Sequence, residues 1–348
     1  MIKNLKRIIC VLVILPVCLA AAEKVITLPG ILTPAGILVD DERIYVHESV
    51  TIHIFSASDY RFIKKFGRKG EGPGEFKLDD DNQVDVSLLT DPPGLLVNSV
   101  GRISYFTRDG KFIREKKNDS GRWLAPLGKS FVGMKRVYDD KNLRSRKVCL
   151  YNADLQLTKI LYSETDGIQP RLKTIDAVSW PSSAIYDTYR DKVVVSDWRN
   201  SCIYIYNDKG EKINHIKLEY ERVKMTAELK KQYVKLYKED DPYWRARWEN
   251  LKKWFVYPEY LPVVWYFKAA DEKIYIFTHK TKNKKQEILV LDMKGKLLNR
   301  LYLPMVRWDI MGLMPFTIKN DRLYQLVENE ETEQCDLHMH HAARGTDL

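Results

Sequence analysis

A single hairpin recurs along this chain. Strand-like segments ending in Ile54-Phe55, Tyr105-Phe106, Leu150-Tyr151, Ile205-Tyr206 and Val290-Leu291 are each followed by a polar turn. The turns read Ser56-Ala57-Ser58-Asp59, Thr107-Arg108-Asp109-Gly110, Asn152-Ala153-Asp154, Asn207-Asp208-Lys209-Gly210 and Asp292-Met293-Lys294-Gly295. They are rich in the Asp, Asn and Gly residues that tolerate the left-handed backbone of tight hairpins. Short strands with turn signals every ~8 to 12 residues restrict the chain to an all-β sandwich, barrel or propeller. The end positions 55, 106, 151, 206 and 291 add a unit of roughly 50 residues, in the range of propeller blades.

Composition agrees with one large β domain. Hydrophobic residues make up 45% and charged ones 30% of 348 residues, a balance that buries a core and excludes a disordered chain. Twenty Tyr and eight Trp suit pleated, half-buried strands better than helices.

A sixth unit begins near Phe316-Thr317-Ile318, continues through Arg322 to Val327 and reaches Cys335 to His341. It lacks an outer strand. The isolated strand Val25 to Leu28, whose Ile26-Thr27-Leu28-Pro29 parallels Leu301-Tyr302-Leu303-Pro304, can supply it. That pairing closes the ring and removes an exposed edge. The expected fold is therefore an all-β six-bladed propeller, closed by an N-terminal strand, over residues 23–348.

Residues 219–262 break the pattern. Thr226-Ala227-Glu228 reads as a helix start, with Leu229, Tyr233, Leu236 and Tyr237 on one stripe. Asp240-Asp241-Pro242 ends that helix and begins a second, with Trp244, Trp248, Leu251 and Phe255 at helical spacing; Pro258 ends it. A two-helix insertion between blades four and five follows. At about 44 residues it is a cap or docking element, since so short a segment rarely buries a core alone.

The stretch Phe66-Gly67-Arg68-Lys69-Gly70-Glu71-Gly72-Pro73-Gly74-Glu75-Phe76 reads as the crossing between the first two blades. Phosphate-cradling loops open a helix whose N-terminus meets the anion; no helical pattern follows here, and Glu71 and Glu75 repel anions. Glycines permit unusual dihedrals, and Phe66 and Phe76 are expected to pack between blades. Together with Ile44-Tyr45-Val46 and Ile52 to Phe55, this motif resembles an NHL repeat, and the chain resembles bacterial six-bladed propellers of that group. The likeness is strong over residues 37–76, moderate over 84–120, 177–218 and 263–303, and weak over 123–162 and 316–341. It implies a fold more than an activity. Its members include carbohydrate, protein and RNA binders and a few metal-dependent lyases, whose ligands surround the central channel.

Residues 1–22 read as a secretory signal: Lys3, Lys6 and Arg7, an apolar run from Ile8 to Leu19, and Ala20-Ala21-Ala22 as cleavage site. The run is shorter than the ~18 to 20 residues of a spanning helix. A lipid anchor on Cys18 is the rival, against which Leu15-Pro16-Val17 matches the lipoprotein motif poorly. The expected location is extracytoplasmic, periplasmic or secreted, with no stable membrane span after cleavage. Losing Lys3, Lys6 and Arg7 lowers the net charge from +10 to about +7, an excess that favours a polyanionic partner without naming one.

Cys149, Cys202 and Cys335, the cysteines beyond the signal, form neither a disulfide framework nor a zinc pattern, though one disulfide fits an oxidising compartment. In the tail, alternation turns Cys335, Leu337 and Met339 inward and puts Asp336, His338 and His340 on the outer face, where a solvated strand end outweighs a metal site. His47, His53, His215 and His279 stand singly, and no nucleophilic triad spacing is visible.

The insertion is the better site candidate. Tyr243, Trp244, Arg245, Arg247 and Trp248 join aromatic faces to guanidinium groups, the composition of binding hot spots, although Trp244 and Trp248 also suit helix packing. The resulting expectation is a monomeric, non-catalytic binding or scaffold propeller that recognises a protein, peptide or glycan, with no cofactor and no nucleic acid. The alternative is a metal-dependent lyase or lactonase-like enzyme at the central channel, with calcium or zinc.

Overall fold

The computed structural model describes residues 24–78, 83–118, 122–178 and 185–342. The signal segment with Cys18, and the tail beyond Ala342, lie outside the described residues. Strands hold 55% of the described residues and helices 8%, so the fold is all-β.

Six four-stranded antiparallel sheets follow one another in sequence among the described residues. The first comprises Gly36–Val39, Arg43–Glu48, Thr51–Ser56 and Phe62–Phe66; the second, Asp85–Thr90, Pro93–Ser99, Arg102–Phe106 and Phe112–Lys117. The third runs from Arg122–Leu127 to Leu157–Thr165, the fourth from Tyr186–Tyr189 to Lys212–Lys217, and the fifth from Tyr266–Ala270 to Leu297–Leu303. The sixth takes Phe316–Lys319, Arg322–Asn329 and Gln334–His341 from the chain's end, and Lys24–Leu28 from its start. The pairing is antiparallel, Lys24 opposite Met339 and Leu28 opposite Cys335.

The innermost strands close a ring. Each touches the innermost strand of the next sheet, and Phe316–Lys319 of the sixth touches Gly36–Val39 of the first. The core is divided accordingly. One apolar cluster fills each gap between neighbouring sheets: Phe76, Leu95 and Phe106 with Tyr45 and Ile54 between first and second, and Leu28, Leu337 and Cys335 with Ile37 and Phe55 between sixth and first. This is a β-propeller-like arrangement, with strands splayed about a central axis.

Polar contacts also cross every gap. Arg43 meets Asp109 at 2.6 Å, Lys116 meets Asp154 at 3.0 Å, and Arg199 donates to the Thr165 carbonyl at 2.7 Å. Lys268 meets Asp187 at 3.1 Å, Lys273 meets Asp321 at 2.5 Å, and Lys319 meets Asp41 at 3.0 Å. Exposed pairs of this kind contribute ~0 to 1 kcal/mol each, so they set register between sheets more than they hold the sheets together.

The hairpin turns into the outermost strands lean on the preceding sheet. Gly295, with φ +92°, is so close to Ile216 that an added Cβ would lie 2.7 Å from Ile216 Cγ2. Residues that read as turn formers in the sequence are thus packing residues between sheets.

Three expectations need correction. The second helix of residues 219–262 is not continuous. Ala227–Lys235 is capped by Thr226, whose side chain accepts from Leu229 N, and ends in a wide turn over Leu236–Asp240. Beyond it, Pro242–Arg245, capped by Asp241, and Trp248–Leu251 are separate short helices. In the tail, Asp336 and His340 are buried rather than solvated, because the N-terminal strand covers that edge and Thr27 and Asn329 take both Asp336 oxygens. Glu75, read as repelling anions, folds back into its own loop: it accepts from Gly72 N at 2.8 Å and pairs with Arg68 at 2.6 Å.

Candidate functional site

The starts of the six innermost strands surround a cavity of about 570 Å3, within the range of small-ligand sites. Outermost-to-innermost connections arrive at this end of the ring. Four aromatic side chains, Trp123, Tyr186, Tyr266 and Phe316, supply walls; Asp85, Asp187, Lys268 and His47 supply polar edges. A second cavity of about 740 Å3 opens at the opposite end, and Asp187 and Lys268 line both. Their ion pair therefore sits at the waist of the channel.

The waist carboxylate is fully engaged. Asp187 accepts from Lys268 Nζ at 3.2 Å, from Ala269 N at 2.9 Å and from Thr188 N at 2.9 Å. Tyr186 donates to the Trp123 carbonyl, and burial, helped by the negative charges of Asp85 and Asp187, raises its hydroxyl well above the ordinary tyrosine value. It is a neutral donor and not a base. Trp123 itself has φ +53°, unusual for a bulky residue, and the strand pairing shifts between Arg122 and Ala125. Such local irregularity re-aims side chains next to sites.

His47 is packed against Gly36, with Nδ1 buried and without a hydrogen-bond partner among the described residues; burial lowers its pKa to about 4. No group of three or more His, Cys, Asp or Glu side chains that could hold a metal occurs among the described residues. Cys149, Cys202 and Cys335 are buried free thiols, and burial pushes Cys335 up to about 12.

Residues 219–262 contribute most of a separate apolar core. Tyr237, Trp244 and Leu261 pack with Ile175 and Ala177 from the connection between third and fourth sheets, and with Met311 from that between fifth and sixth. The Tyr237 hydroxyl donates to the Ala177 carbonyl at 2.6 Å and lies 3.2 Å from Met311 Sδ. A parallel pairing of Thr174–Asp176 with Phe255–Val256 adds a second tie.

The five candidates of the insertion divide. Trp244 is 2% exposed and meets Tyr237 and Phe255 edge-on, and Trp248 packs on Phe255. Tyr243, Arg245 and Arg247 face solvent. Arg247 Cζ stacks 3.9 Å from the Tyr243 ring centroid and donates to the Tyr243 carbonyl at 2.9 Å, while Arg245 donates to Glu239 O at 3.3 Å. In the glycine-rich crossing, Phe66 and Phe76 flank Phe106 at 4.8 and 5.9 Å. Gly67, with φ +91°, abuts Val50 O closely, which leaves no room for a Cβ. Gly70, Pro73 and Gly74 shape the remainder of that loop.

The channel residues escaped the sequence because they are drawn from all six sheets. Apart from His47, on the second strand of the first sheet, their one shared signal is position, at or near the start of an innermost strand.

These features define a β-propeller-like all-β protein with a polar-aromatic channel. No protein-family model and no curated protein matches the chain. Solved structures do. A Bacteroides fragilis protein named only as a candidate exported protein is 12% identical, covering 92% of this chain and 94% of that one with a TM-score of 0.52. A Bacteroides caccae protein of unknown function is 10% identical over 84% and 85% of the chains, TM-score 0.37, and the AfRom2 CNH domain is 10% identical over 92% and 86%, TM-score 0.41. At such identities the first likeness speaks for the fold alone. No helix among the described residues is long and apolar enough to cross a membrane.

Proposed function

We propose that the protein is an exported six-bladed propeller of the NHL type that binds a protein, peptide or glycan without chemical turnover. Six sheets in a ring and the glycine-rich crossing support the architecture, residues 219–262 being inserted between the fourth and fifth blades. The basic, apolar and small-residue order of residues 1–22 supports export.

The observation that carries the binding reading is the state of the channel. Asp187 spends both oxygens on Lys268 and backbone N–H groups, and Tyr186 is held neutral. The cavity offers aromatic walls and hydrogen-bonding groups, which suit recognition. The exposed Tyr243–Arg247 stack adds a second surface at the same end of the ring.

Glycan and peptide arrays probed with the mature chain test this, followed by titration of the strongest hit onto wild type and onto Tyr243→Ala with Arg245→Ala and Arg247→Ala. A hit bound reversibly and unchanged supports the reading, and a tenfold or greater loss in the triple variant places the contact on the cap. Conversion of the hit to product, or a stoichiometric metal in protein purified without chelator, overturns it in favour of a metal-dependent lyase or lactonase-like enzyme.

A further inference from the structure

Where this protein draws an arginine in from solvent, it generally supplies a carboxylate. Arg146 meets Glu164, Arg144 and Arg136 meet Asp166 at 3.0 and 3.4 Å, and Arg43 meets Asp109. Arg307 departs from this pattern. Its Cζ lies 4.2 Å from the Trp265 ring centroid and its Nη2 donates to the neutral amide oxygen of Gln286. Among the described residues no carboxylate stands within 4.0 Å of it. A guanidinium has five in-plane N–H donors; stacking on the indole uses its face and leaves those donors directed elsewhere.

The same indole carries a second polar group. The His279 ring lies 5.7 Å from that of Trp265, and its Nε2 is buried without a hydrogen-bond partner among the described residues. Burial and the charge of Arg307 hold His279 down to about 3, so at neutral pH it is an uncharged imidazole with one N–H to give. Burial likewise holds Arg307 below its ordinary value.

The surroundings are built to keep these groups in place. Residues 306–314 form a small hairpin: Trp308 N donates to Gly312 O at 3.1 Å, Met314 N to Val306 O at 3.2 Å, and Asp309 Oδ1 accepts from Met311 N at 2.6 Å and Gly312 N at 2.7 Å. Gln325 clasps both backbone groups of Val306, at 2.9 and 2.8 Å. Gln286 is fixed through its Nε2 to Thr278 O at 2.5 Å, which turns its Oε1 towards Arg307. Trp265 Nε1 donates to Met311 O at 3.3 Å.

We propose that Arg307, His279 and Trp265 form a binding site for one carboxylate group, with the Arg307 fork and a His279 N–H as donors and the indole fixing the guanidinium plane. One permanent positive charge matches one negative charge. A phosphate dianion would leave a buried negative charge uncompensated, which is costly, so the site selects a carboxylate. It stands independently of the binding face proposed above.

Acetate is the probe. At pH 7 and matched ionic strength, thermal melts and tryptophan emission of the mature chain are followed against sodium acetate, chloride and phosphate. The expected result is a saturable rise in Tm and a change in emission with acetate, absent with chloride and weaker with phosphate. Arg307→Met should abolish the acetate response while keeping or raising the Tm in chloride, since an uncompensated cation is gone. Should Arg307→Met fail to fold, Arg307→Lys keeps the charge without the fork and should weaken acetate at least tenfold. Identical acetate and chloride curves overturn the proposal, as does an acetate response of undiminished affinity in whichever variant folds. Phosphate outcompeting acetate overturns the charge-matching argument.

Discussion

Thr27 Oγ1 donates a 2.7 Å hydrogen bond to Asp336 Oδ1, joining the first described strand to the last. The other Asp336 oxygen accepts from Asn329 Nδ2 at 2.9 Å. Thr27→Val should cost about 1 kcal/mol, and Asp336→Ala about 2 to 3 kcal/mol because it leaves two part-buried donors unpaired. Deleting residues 24–28 bares the whole edge of Gln334–His341 and should abolish cooperative unfolding in urea. An unchanged midpoint and slope for the truncated chain would show that the ring is held without this closure.

Gly295 should not accept a side chain. Its φ of +92° and the 2.7 Å approach of Ile216 Cγ2 combine backbone strain with overpacking, so Gly295→Ala should lose about 1 to 3 kcal/mol. Adding Ile216→Ala should relieve the clash while opening a cavity, and the double variant should lose less than the sum of the single ones. Strict additivity in chemical denaturation would mean that the two positions do not touch.

Acid should weaken the fold through His47. Burial lowers its pKa from 6.5 to about 4. Above pH 6.5 both states are neutral and nothing changes. Between pH 6.5 and 4 the unfolded chain takes up a proton that the folded chain refuses, so stability falls with pH, by at most about 1.4 kcal/mol per pH unit. His279, lowered to about 3, adds to the same loss and extends it. His47→Gln should flatten the profile between pH 6.5 and 4 in denaturation midpoints; parallel profiles would mean that His47 titrates normally.

The cap should loosen without the ring failing when Tyr237 loses its hydroxyl. Tyr237→Phe removes the 2.6 Å bond to Ala177 O and leaves that carbonyl buried, a cost of about 1 to 2 kcal/mol. Hydrogen exchange should speed up in residues 227–256 and stay unchanged in the strands of the first sheet. Uniform acceleration across the chain would show that cap and ring unfold together.

Much of the architecture was legible because period and pattern are local. The turn Asp292-Met293-Lys294-Gly295 and its relatives announce hairpins from residues a few positions apart, and the missing outer strand of the last unit pointed to Val25 to Leu28. The insertion was legible as a unit but not in detail. Trp244, Trp248, Leu251 and Phe255 do share a core, yet on two short helices and a strand, because packing against Ala177 and Met311 overrides helix continuity.

The site was legible least. Trp123, Tyr186, Asp187 and Lys268 carry no motif, and the Arg307–His279–Trp265 cluster draws on separate strands and a hairpin. Sequence alone determined the repeated hairpin, the all-β class and the closing strand, since each depends on alternation and turn chemistry within or between short segments. Tertiary structure decided which side chains meet at the axis, that Asp187 is spent on Lys268, and that Arg307 meets Gln286 and no acid among the described residues. Those facts arise from the rotation of one sheet relative to the next, which no local pattern encodes.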